Sequence, residues 1–187
     1  HVAVAAMIDY ETPAVRAPIE EEPLARALAA GDLPKAVRAQ VLYAMDLAAQ
    51  GDLSGWVNAV DDALELSQRV GHPRHRWRPL LLDSMRALAF GDFRTSDRRI
   101  VEVQRLAALT DDPALAMSLN AHFATASRLL HRDDVLHELL PELSKTVGSA
   151  RHGRYIEAAL GCGIAAKLED RALAESVVDL AAQNPQG

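Results

Sequence analysis

His72 and His75 are the first residues in this sequence whose types and spacing could do chemistry, since two imidazoles three apart could share a metal ion. No third ligand follows nearby in sequence, so no metal is expected and the pair reads as a helix start with His75 partly exposed. Cys162, within Gly161-Cys162-Gly163, could act as a nucleophile if a neighbouring base or positive field lowered its pKa. The pairs Asp61-Asp62, Asp111-Asp112 and Asp133-Asp134 resemble acid-base dyads. Adjacent residues on a helix, however, point about 100° apart and cannot converge on one substrate. Capping and solvation explain these carboxylates better. His122 is expected to pack rather than react. With no phosphate-cradling glycine loop and no Gly-x-Ser-x-Gly elbow, no catalytic residue and no cofactor are expected, and the chain reads as a non-enzyme.

Charge narrows the partners. The net charge of -6 argues against nucleic-acid binding by this domain, which needs an excess of Lys and Arg. The distribution is uneven: residues 1 to 68 carry four Lys+Arg against eleven Asp+Glu, and 69 to 105 carry nine against four. That basic stretch is either a solvated helix face or a site for an acidic partner.

The elements that would position these residues are helical. Of the 187 residues 49% are apolar but only 4% aromatic, and alanine and leucine dominate over β-branched types. The length supports one domain with a sizeable core. A lone cysteine excludes an internal disulfide and fits a reducing compartment, so a cytoplasmic location is expected. No apolar run reaches the roughly 18 to 20 residues that span a bilayer. The first eight residues lack a basic n-region, so no signal peptide is expected, and the start at His1 reads as a piece of a longer chain.

Pro13, Pro18 and Pro23, with the acidic run Glu20-Glu21-Glu22, predict a loop over residues 9 to 23 and hence a linker, 1–23, before a helical domain, 24–187. Beyond it, stop and cap signals recur near every twentieth residue: Gly31-Asp32, Gly51-Asp52, Gly71-His72-Pro73, Gly91-Asp92, Asp112-Pro113, Arg132-Asp133, Gly148-Ser149 and Glu169-Asp170. Between them apolar residues follow the helical period. Leu53, Val57, Val60 and Leu64 form one expected buried stripe, Ile100, Val103 and Ala107 another, and Leu136, Leu139, Leu140, Leu143 and Val147 a third. No strand is expected, and Pro79 and Pro141 predict kinks or late starts.

The chain also repeats. Turn starts at Gly51, Gly91, His131 and Glu169 are separated by steps of 38 to 40 residues, which indicates stacked supersecondary units. Seven residues before each turn the residue is small: Ala44, Ser84, Ala124, Cys162. Nine after it come Val60, Ile100, Leu140 and Val178, and a turn further Ala63, Val103, Leu143 and Ala181. Cys162 therefore reads as a packing residue. Leu53 and Phe93, just past the turns, are expected to plug the helix junctions.

In this register residues 30 to 182 resemble the tetratricopeptide (TPR) repeat, with its small residue in helix A, Gly-Asp-aromatic turn and apolar positions along helix B. Gly91-Asp92-Phe93 with Ser84, Ser96, Ile100 and Val103 carries it best. Departures are the longer period, the non-aromatic Leu47, Ala87, Ser127 and Ala165 in helix A, and Trp56 at a small position. The resemblance implies an all-α fold of about eight or nine helices, in antiparallel pairs stacked as a short right-handed α-solenoid. It implies a concave face lined by Arg38, Val41, Met45, Arg78, Leu81, Met85, Thr125, Arg128 and Lys167, suited to a protein or peptide partner, with an acidic one favoured by the arginines, or to self-association. Residues 70 to 93 are also similar to helical C-terminal regions of large bacterial signalling ATPases, such as LuxR- or maltose-activator-type regulators and ATPase modules fused to cyclases or kinases. This implies a regulatory or sensor module, and, as an alternative, a sugar-like ligand in the same concavity with Trp56 and Trp77 as platforms.

Overall fold

The structure, a computed structural model, describes residues 12–110, 112–132 and seven single positions further on (134, 163, 166, 169, 171, 172 and 175). The chain divides into two compact units, His1–Asp111 and Asp112–Gly187. Among the described residues there are six helices and no strand. In the first unit these are α1 (Pro13–Ala29), α2 (Leu33–Gln50), α3 (Leu53–Val70), α4 (Pro73–Ala89) and α5 (Phe93–Ala107), and in the second α6 (Pro113–Leu129). Eight or nine were expected over the whole chain and six are described; Pro141, Lys167 and Cys162 lie outside the described residues.

The punctuation acts as capping chemistry demands. The side chains of Asp32, Asp52 and Asp92 accept from the backbone amides of Lys35, Gly55 and Thr95, at 3.2, 2.9 and 3.0 Å, and Asp112 accepts from Ala114. Hydrogen bonds from the Lys35 and Thr95 sides hold the Asp32 and Asp92 carboxyls below their ordinary values. Four turns share one geometry: Gly31, Gly51, Gly91 and His131 have φ of 67°, 78°, 77° and 54°, and the next amide donates to the carbonyl five residues back. Glu169, at φ 54°, takes the same left-handed conformation. The three inferred spacings are thus visible as backbone, with Gly31 an earlier instance.

Such connections of two or three residues between helices that pack together make α1/α2, α2/α3 and α4/α5 antiparallel hairpins. Helix α4 also packs on α3 and α2, which joins the hairpins into one unit. Ala44, Ser84 and Ala124 are fully buried, as are Val60, Ala63 and Val103. At the α4/α5 crossing the Ser84 hydroxyl reaches the Ser96 carbonyl at 3.1 Å and its hydroxyl at 2.9 Å, an approach that larger side chains would block. Ala124→Leu should therefore overpack α6 and cost about 1 to 3 kcal/mol in chemical denaturation. A neutral result would show that the small position is not a close contact.

Three expectations are corrected. Residues 13 to 23 are not a loop, because α1 runs straight through Pro18 and Pro23. Pro13 occupies the first turn, where its missing amide is harmless. The other two each forfeit one ladder bond, at about 3 kcal/mol apiece. Packing of Ala17, Glu20, Leu24 and Ala27, with Arg16 bridging to Asp46 and Gln50 bonding the Pro13 carbonyl, outweighs that loss. Leu53 and Phe93 do not plug the junctions: they are 53% and 46% exposed. The α3 stripe is instead rotated to Trp56, Ala59, Val60, Ala63 and Leu66, because Trp56 has the largest apolar surface to hide and Phe90 stacks on it at 6.4 Å. Finally, α4 does not start late at Pro79. Pro73 begins it, His72 caps it, and Pro79 lies buried inside.

Candidate partner-binding surface

Helices α2 and α4 each pair with a following helix and also touch one another, so their remaining faces adjoin. On α2 Arg38 and Met45 are both exposed. On α4, in the same register, Met85 is exposed and Arg78 half-buried, its guanidinium 4.0 Å from the Trp77 ring centroid. Each arginine precedes its methionine by seven residues, about 10.5 Å along a helix axis. The order, cation then thioether, recurs on both helices. Val41 and Leu81 lie in the core beneath them and offer no surface. In the second unit, Thr125 and Arg128 are exposed on α6, and the Thr125 hydroxyl bonds the Ala121 carbonyl at 2.9 Å. Lys167 lies outside the described residues.

Three of the nine arginines of the basic stretch, Arg76, Arg86 and Arg99, are tied up in ion pairs inside the unit. Asp83, on α4 and only 4% exposed, accepts from Arg86 at 2.6 Å and from Arg99 of α5 at 2.6 Å. Arg86 continues to Asp61 and the Val57 carbonyl on α3, and Arg76 and Arg99 share Glu102. Opposing carboxylates raise the Arg86 pKa despite its burial, so its charge is secure. This lattice joins α3, α4 and α5. Sequence reading missed it because only folding brings Asp61, Asp83 and Arg99 together; the Asp83/Arg86 spacing was the one local signal.

The other chemical candidates resolve into structural roles. His72 accepts from the Arg74 amide at 3.1 Å as the α4 cap, with the His75 ring 6.0 Å away, and no third metal-ligating side chain joins them among the described residues. Burial, then the nearby His72, Arg74 and Arg78, lower the His75 pKa. His122 is buried on α6. Trp56 and Trp77 are 6% and 2% exposed, so neither offers a free ring face for a sugar. Among the described residues no helix is long and apolar enough to cross a membrane.

No family model matches the chain, and no curated protein matches its sequence. A solved structure does match: the nearly identical TPR-like repeats of a Podosopora anserina protein assigned as a kinesin light chain, at 14% identity and a TM-score of 0.59, over 100% of this chain and 95% of that one. At that identity the likeness shows the fold alone. The fold is a TPR-like helical repeat.

Proposed function

We propose that this chain is a non-catalytic interaction scaffold that takes a protein or peptide partner on the adjoining faces of α2 and α4. The observation that carries this reading is the recurrence, in one register on two touching helices, of an arginine, exposed on α2 and half-buried on α4, and an exposed methionine. Exposed methionine adapts to varied apolar partners, and arginine holds carboxylates by two parallel bonds. An acidic segment with apolar anchors is the partner that fits. Within the first unit α1 joins the repeat hairpins of α2 to α5; in the second, Thr125, Arg128 and Lys167 are the residues we assign to partner binding. By the likeness of residues 70 to 93 to signalling ATPases, the array serves as a regulatory or sensor module of a larger bacterial signalling protein in the cytoplasm.

The test is selection of peptides on the intact chain from a displayed library, followed by titration of the best binder. Arg38→Glu should weaken it about tenfold or more, the loss of one charge-assisted contact, while helical circular dichroism stays unchanged. Arg38 is the cleaner position, since reversal at Arg78 also removes its stacking on Trp77. Enriched peptides without acidic residues, or binding indifferent to Arg38→Glu, would move the site elsewhere.

A further inference from the structure

Glu20, on α1, is only 1% exposed, and its Oε2 has no hydrogen-bond partner. A carboxylate taken out of water without compensating bonds is strongly disfavoured in its charged form. Its charged neighbours come from both helices. Asp46 of α2, itself buried, is of like charge; Arg16 of α1 is bonded to Asp46, with Nε 3.1 Å from Oδ1 and 3.3 Å from Oδ2. Arg16 itself and Arg38 of α2 act in the opposite sense.

The helix that carries this group is weakly built. Pro18 and Pro23 each remove a backbone bond from α1, and among the described elements α1 packs against α2 alone. The link to α2 is a three-residue turn, Ala30 to Asp32, with Gly31 left-handed. We propose that Glu20 makes the docking of α1 on α2 proton-dependent, so that α1 is a strap held down while this carboxyl is neutral and loosened when it ionises.

Burial first, and then the charge of Asp46, raise the Glu20 pKa above its ordinary value of 4.5. Between those two values the docked state binds more protons than the detached one. Docking therefore tightens as pH falls toward 4.5 and weakens as pH rises through the raised value. His75 acts the other way: its lowered pKa favours the neutral ring, so its contribution is present above the ordinary 6.5 and lost as pH falls through the lowered value. Overall stability mixes the two, and only a local measurement separates them.

Hydrogen exchange on the full chain, read by mass spectrometry between pH 5 and 8 and corrected for intrinsic rates, supplies it. Protection over residues 13–29 should rise several-fold from pH 8 to pH 5, while α3 does not follow. Glu20→Gln should give high, pH-independent protection there, and Glu20→Met, which removes the polar group altogether, should do the same if the glutamine variant folds poorly. Protection over 13–29 that ignores pH in the unaltered protein, or a pH response that survives both substitutions, would overturn the proposal.

Discussion

Asp83→Ala should destabilise the first unit by about 2 to 4 kcal/mol, because it removes the acceptor on which two arginines from different helices converge. Breaking a buried pair costs about 3 to 5 kcal/mol when the remaining charge stays buried. The guanidiniums here can recover some water, since the side chains of Arg86 and Arg99 are 18% and 38% exposed, and the figure is discounted accordingly. Asp61→Ala, at the wet end of the same lattice, should cost about 1 kcal/mol or less, because the Asp61 side chain is 61% exposed. Urea denaturation of both variants measures the contrast. A loss at Asp83 no larger than at Asp61 would mean that the lattice merely decorates the repeat junction. The paired replacement Asp83→Leu with Arg86→Met should recover much of the loss, as apolar groups can substitute for a buried ion pair.

The largest binding effect is expected from Met45→Asp combined with Met85→Asp. Each methionine covered by a partner contributes about 1.5 to 3 kcal/mol, so losing both should weaken a selected peptide about 100-fold or more. Folding should be nearly unaffected, since both side chains already lie largely in water at 51% and 44% exposure. Leu53→Asp with Phe93→Asp is the matched control, changing two equally exposed apolar residues at the turns. Calorimetric titration should show affinity lost in the methionine variant and kept in the control. The reverse pattern would relocate the binding surface to the turns.

Much of the fold was legible because it rests on local chemistry. The small residues at Ala44, Ser84 and Ala124 and the apolar ones at Val60, Ile100 and Val103 recur in phase with the turns, and all six are buried. The prolines of α1 misled for the same local reason. Their cost is visible in the sequence, whereas the α2 surface that offsets it is not. Likewise the α3 stripe was read one position off, since periodicity places a stripe only to within a residue and Trp56, with Phe90 to stack on, settled the rotation.

For the candidate surface, the register alone placed Arg38, Met45, Arg78 and Met85 at matching positions, because a repeat of turns and small residues forces equivalent residues onto equivalent faces. Which of the arginines stay at the surface was decided by packing. Arg76, Arg86 and Arg99 turn to carboxylates on neighbouring helices, Arg78 lies on Trp77, and Arg38 remains exposed. Sequence by itself thus determined helices α2 to α6, their caps, the four left-handed turns and the repeat, each set by interactions within a few residues. Tertiary structure alone decided the burial of Glu20, the convergence on Asp83 and the exposure of Leu53 and Phe93. These depend on how residues on different helices share space, dielectric and water, which no local pattern encodes.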